Sequence, residues 1–238
     1  MTGVIVSVFA LSTLTTASVV RLVCVHKRSL RARQLTISVV CFAIACALLI
    51  VARYGPAWLN PYGVASLARN LIAAFGYVAI AKHALISLRR ADKLANCNRH
   101  RVVVCLVLVG SWVAASLPRV LEANEIPFGI PSNPAMSLHW IAVAYVAMGA
   151  WLVLALAVFE GLDGAGERSR LVLLTWFAAA AVGIVANVKR VINAISPWET
   201  SWGGSWELSF TAGGLLACGV IMSAMLTRKR AAVVRAAV

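Results

Sequence analysis

Acidic residues are scarce in this chain. Asp and Glu number eight against 22 Lys and Arg in 238 residues, a formal charge of +14. Charge of either sign is thin as well, at 13% of residues, about half of the roughly 25% in a water-soluble domain. That leaves too little polar side chain to cover a globule in water, so a soluble enzyme or soluble nucleic-acid binder is excluded. Within the apolar runs Glu207 stands as a lone acid, with no second carboxylate for general acid–base work. The sequence has no H-E-x-x-H, no G-x-x-x-x-G-K-[ST] and no G-x-S-x-G, the patterns of a zinc hydrolase, a phosphate loop and a serine nucleophile elbow. Its last apolar run lacks the Lys a retinal Schiff base would need, and nowhere does Arg recur every third residue as in a voltage sensor. No enzyme, no cofactor and no metal site is therefore expected.

Apolar residue is what the chain has in excess, at 61% with a mean hydropathy of +0.87. A bilayer core about 30 Å thick needs about 20 apolar residues as a helix. Seven stretches answer to that, near residues 3–25, 35–52, 64–88, 102–117, 137–159, 171–192 and 204–226. They are Ala- and Leu-rich without the two-residue alternation of a membrane barrel, and backbone in lipid must satisfy its own hydrogen bonds. The expected fold is an all-α polytopic membrane protein: one seven-helix transmembrane domain over 1–227 and a short basic tail at 228–238. The first run has no basic start and no clean cleavage site, so it reads as a retained helix rather than a signal peptide.

The excess cations set an orientation. Fifteen of the 22 fall after spans one, three, five and seven, including Lys27, Arg33, Arg89, Arg101, Arg168 and Arg230. Basic short loops stay in the cytoplasm, which puts the N-terminus outside and the C-terminus inside, in a bacterial inner membrane. All seven prolines, among them Pro56, Pro118, Pro131 and Pro197, are assigned to the outer side, with Trp58, Trp140, Trp198, Trp202 and Trp206 at its interface. Trp198, Trp202 and Trp206 recur every four residues as an interfacial anchor or an aromatic ligand cage, although Gly203 and Gly204 interrupt any helix there. Five of the six cysteines lie within spans and Cys97 in an inner connection, so no disulfide framework is implied. The partners expected are the bilayer itself, anionic lipid at the cytosolic face, and a membrane-protein partner or a second copy, with no nucleic acid.

Polar residues inside spans are where chemistry should appear. In span three, Arg69, Ala73, Gly76, Ile80 and His83 share a helical stripe with Asn70 and Tyr77 beside it. Gly183, Asn187 and Arg190 form a stripe in span six, and Glu207, Thr211, Gly214 and Cys218 one in span seven. Arg69, Asn70, Tyr77, Asn187, Arg190 and Glu207 thus converge on an outward-facing polar pocket, with Glu207 neutralising one cation and leaving the other for an anion. The competing reading is structural: long basic chains near helix ends reach out to the interface. His83 is expected at the inner interface, and His26 and His100 solvated in basic loops. Small residues at Gly149, Ala178–Ala181, Gly213, Gly214 and Gly219 allow close helix approach.

Four segments carry a resemblance to a known family: R-S-L-R-A-R in the first basic connection, the outer turn Y-G-P-A-W-L-N-P, A-R-N-L at the start of span three, and G-I-V-A-N-V-K-R in span six. Together with 17 Arg to five Lys, they make residues 20–226 resemble the seven-helix membrane half of an actinobacterial family that carries a transporter label. The resemblance implies the same seven-helix fold and a transporter-like activity. Members of that family continue into a cytosolic domain after the seventh helix, whereas this chain runs 12 residues past Leu226. The alternative function is a non-transporting sensor, scaffold or phage exclusion protein acting through protein partners.

Overall fold

The computed structural model describes residues 2–24, 29–56, 58, 63–121, 134–195 and 205–236. Among them it has seven α-helices and no strand: α1 (Thr2–Cys24), α2 (Leu30–Tyr54), α3 (Val64–Ser87), α4 (Leu94–Leu121), α5 (Pro134–Leu162), α6 (Glu167–Ile195) and α7 (Ser205–Ala236). Each contains a segment long and apolar enough to cross a bilayer, the makeup of a multi-pass membrane protein. Trp198, Trp202 and the Pro-rich segment 122–133 lie outside the described residues.

Five of the helices overrun the apolar stretches, most of all α4 and α7, which reach 28 and 32 residues. Hydropathy marks where lipid can be met, but Arg, Ala and Leu continue a helix into polar sequence at little cost. Ser29 begins α2 four residues or more ahead of its apolar run, its side chain accepting from the Ala32 amide at 3.1 Å. The same overrun carries α7 through the basic tail to Ala236. It also places Cys97, Arg99, His100 and Arg101 within α4 rather than in a connection, and Pro118 in the last turn of that helix rather than beyond it. Pro134 opens α5, at a helix start where a missing amide hydrogen costs nothing.

Six helices close into a ring in the order α1, α2, α3, α5, α6, α7, with α7 returning to α1. The fourth helix stands outside it, docked on α3 and α5. Aromatic side chains fill the ring. Phe42 of α2, Tyr77 of α3 and Trp151 of α5 stand edge-to-face or stacked, with centroids 4.9–6.5 Å apart. Two indoles rest directly on glycines: Trp151 on Gly183 of α6, and Trp176 of α6 on Gly219 of α7. A methyl at Gly76 would likewise stand 2.9 Å from Phe42. Small residues are how transmembrane helices approach closely, and here each accommodates a ring. Gly149, expected to serve the same purpose, is exposed with open space around it.

At the basic end, Arg21 is buried. Its Nη2 donates to the Ala32 carbonyl at 2.7 Å and its Nε lies 3.4 Å from Thr36 Oγ1, tying α1 to α2. His83, near the same end, is buried as well. Its Nδ1 lies 3.0 Å from the Arg31 carbonyl, and its ring stands edge-on to Trp176.

Candidate functional site

At the opposite end of the bundle, α3, α5, α6 and α7 bring five of the six sequence-selected residues together. The polarity of the hydrogen-bond chain among them is dictated by arginine, which has donors only. Arg69 Nε and Nη2 point at one atom of Asn70, 2.9 and 2.7 Å away, so that atom is the amide oxygen. The amide nitrogen of Asn70 then faces His139 Nε2 at 2.8 Å and donates to it. His139 Nε2 being the acceptor, the imidazole proton sits on Nδ1, 3.1 Å from the Leu108 carbonyl and 3.2 Å from Ser111 Oγ. Asn70 and His139 are fully enclosed, at 3% and 0% exposure, so every polar atom there needs a partner, and each has one. The chain runs from the guanidinium on α3 through α5 to a backbone carbonyl of α4.

A second guanidinium is anchored in the same way. Arg190 donates from Nη1 to Asn187 Oδ1 at 2.6 Å and from Nη2 to Ser209 Oγ of α7 at 3.1 Å. Asn187 returns its amide hydrogen to the Gly183 carbonyl at 2.7 Å. Arg190 also shares a side-chain hydrogen bond with Tyr77, which in turn bonds Trp151. Asn187 lies one turn further into the bundle than Arg190, so this arginine reaches inward. Side chains on a helix lean toward its N-terminus, and for the last turns of α6 that direction is the interior.

The two guanidiniums meet at one indole. Arg69 Cζ lies 5.5 Å and Arg190 Cζ 5.8 Å from the ring centre of Trp140, both within cation–π reach. Each arginine is half-buried. Among the described residues, the ion pairs are those of Asp92 with Arg90 and Lys93 at the far end. Glu207 therefore does not neutralise Arg69 or Arg190. The reason is register: its stripe-mate Gly214 packs toward Phe9 and Thr13 of α1, whereas Ser209, two residues and some 200° further round α7, is the residue that meets Arg190. Thr211 on that stripe is exposed.

Sequence reasoning missed His139, Ser111 and the joining role of Trp140. His139 did carry a signal, being an ionisable residue one turn inside an otherwise apolar stretch. Trp140 was taken only as an interface marker, and Ser111 has no sequence signature. Among the described residues no cluster of His, Cys, Asp or Glu could hold a metal. No family model, no curated protein and no solved structure matches the chain.

Proposed function

We propose that this is a multi-pass protein of a bacterial inner membrane, with its N-terminus outside, whose outer end holds a binding site for an anionic solute in a transporter-like bundle. The observation that carries the reading is the pair of half-buried guanidiniums of Arg69 and Arg190 on the single indole of Trp140, without a carboxylate among the described residues to balance them. Two adjacent cations repel at low dielectric, and an oxyanion that accepts from both removes that cost. Asn70, Asn187 and Ser209 hold the guanidiniums in place, so the site is organised before a ligand arrives. The basic connections support the orientation, and the resemblance to transporter-labelled proteins is an analogy of fold.

A second reading, a sensor that binds without transporting, is favoured by the aromatic filling of the ring: Trp151, Tyr77 and Phe42 occupy the space beneath the site. One experiment separates them. Purified protein is titrated with phosphate, sulfate and small dicarboxylates while Trp140 fluorescence is read against a Trp140→Phe control. The same anions are then offered to proteoliposomes. Saturable quenching lost in Arg69→Gln and Arg190→Gln supports the site, and uptake lost in the same variants supports transport. Binding without uptake supports the sensor, and no anion-dependent signal in the wild type overturns both.

A further inference from the structure

His139 decides which way the side chain of Asn70 points. In the neutral imidazole the hydrogen is on Nδ1, 3.1 Å from the Leu108 carbonyl of α4 and 3.2 Å from Ser111 Oγ. Nε2 is then a lone pair, which an Asn70 amide hydrogen fills at 2.8 Å. This leaves the Asn70 oxygen facing Arg69, whose Nε and Nη2 both donate to it at 2.9 and 2.7 Å.

A proton from solution, added at Nε2, upsets that order. Imidazolium is a donor at both nitrogens. Nδ1 keeps the Leu108 carbonyl, but the new hydrogen on Nε2 meets the amide hydrogen of Asn70. With His139 0% and Asn70 3% exposed, water does not offer another acceptor, and an unpaired charged donor there is costly. Turning the Asn70 amide over about its Cβ–Cγ bond removes the clash, since the oxygen then accepts from Nε2. The same turn points the amide hydrogens at Arg69, which has donors only. Nε and Nη2 of Arg69 thus lose their acceptor just as the site gains a positive charge.

An oxyanion makes good both losses. It accepts from the two Arg69 donors that the neutral form gives to Asn70, and it balances the added charge. The charges around His139 belong to the same site. From α3, Arg69 acts on it directly, while Tyr77 is bonded to Arg190 and Trp151. Arg190 of α6 shares with Arg69 the Trp140 ring, which stands edge-on to His139 at 5.8 Å. The α4 side presents Ser111 and the Leu108 carbonyl, which do not titrate. Among the described residues no carboxylate pairs with either arginine.

We propose that His139 is a proton-binding site coupled to the anion site, so that the chain takes up a proton together with its oxyanion. The inference rests on the anion site at Arg69 and Arg190. It holds alike for a transporter, which would carry the proton along, and for a sensor, whose affinity the proton would set. The two forms differ by one amide rotation, which proton and anion bias in the same direction. Such coupling is reciprocal, each ligand strengthening the other by the same factor. Loss of the imidazole is a different change: an apolar residue at 139 loosens Asn70 without taking its oxygen or adding charge, so the site is disordered with no gain.

The test is sulfate binding to the purified protein, read from the midpoint of Trp140 quenching between about pH 8 and pH 5, either side of the ordinary imidazole value of about 6.5. Sulfate stays fully ionised over this range, so the anion itself does not titrate. Affinity is expected to rise as pH falls, by about 5–150-fold in all and by no more than about tenfold per pH unit, the limit for one linked proton. His139→Gln, whose amide oxygen can accept from Asn70 but takes up no proton, should bind sulfate with little dependence on pH. Should that variant fail to fold, wild type alone decides: sulfate added to weakly buffered protein near the imidazole value should draw protons from solution, as followed with an indicator dye. Affinity that is the same at every pH, an unchanged pH dependence in His139→Gln, or no proton uptake on binding overturns the coupling and leaves the anion site standing. No quenching at any pH overturns the anion site itself, and the coupling with it.

Discussion

Replacing Gly183 with Ala places a methyl group where the indole of Trp151 now rests. In a helix the change from Gly to Ala is by itself stabilising by about 1 kcal/mol. Against this stands overpacking, typically about 1–3 kcal/mol. Trp151 has little room to retreat. It is 2% exposed, with Phe42 stacked 6.5 Å away on one side and Tyr77 edge-on at 6.0 Å, so the upper part of that range applies. The net expectation is a loss of about 2 kcal/mol. Gly149→Ala is the control, since a methyl there meets nothing within 4 Å and only the helix term of up to about 1 kcal/mol acts. Thermal unfolding in detergent by circular dichroism should move the two variants in opposite directions, about 3 kcal/mol apart. Trp151→Phe should relieve the overlap, so Gly183→Ala/Trp151→Phe loses less than the sum of the single changes, a coupling that a double-mutant cycle reads directly. If Gly183→Ala is as stable as Gly149→Ala, the ring does not rest on this glycine and the packing account fails.

Two further changes test other parts of the structure. His139→Leu leaves the Asn70 amide without its acceptor in a closed setting, a cost of about 1–3 kcal/mol, and frees Asn70 to turn away from Arg69. Lower melting temperature together with weaker anion quenching is expected, and a variant as stable as wild type would show that the chain from Arg69 to Leu108 is not what holds this end. Arg89 follows α3 with φ of 56°, a left-handed conformation that costs a non-glycine residue about 1 kcal/mol. Arg89→Gly should therefore raise stability by up to about that amount in the same unfolding assay, and a decrease would refute the strain.

The number and rough position of the helices were legible because length and hydropathy are enough to identify a span, and neither depends on what the span touches. The ring order was not legible. In a soluble protein an apolar stripe announces the face turned to the core, but in lipid both faces are apolar and that contrast is lost. Hence nothing in the residues of α4 says that it stands outside while its neighbours in sequence join the ring. The same loss explains the uneven success at the site. Arg69, Asn70, Asn187 and Arg190 could be found because polarity within a span is conspicuous, and the Gly183–Asn187–Arg190 stripe keeps its spacing in the structure. Glu207 was equally conspicuous and misassigned, since a sequence offers no way to tell which neighbour α7 turns that side toward. Ser209 was invisible, a common residue whose importance comes from lying opposite Arg190.

The arginine site and the filled interior are physically continuous, which constrains how either could act. Arg190 bonds Tyr77, Tyr77 bonds Trp151, and Trp151 rests on Gly183, whose carbonyl accepts from Asn187, the anchor of Arg190. The loop closes on itself across α3, α5 and α6. An anion that draws hydrogen bonds from Arg190 competes with Asn187, Ser209 and Tyr77 for the same donors, and weakening the Tyr77 bond leaves the indole of Trp151 without its polar partner. A ligand shifts a conformational balance only by the difference in its affinity for the two arrangements, and here that difference resides in the donors of Arg190. On the transporter reading Trp151 would leave Gly183 once the anion is bound, whereas on the sensor reading only Tyr77 would change partners. The two activities therefore differ in how far a single displacement runs along one chain of contacts, and Gly183→Ala, which alters the indole's seat without touching the anion, should disturb transport and also shift anion affinity, because coupling between the two places is reciprocal; unchanged affinity in the quenching titration would refute the coupling.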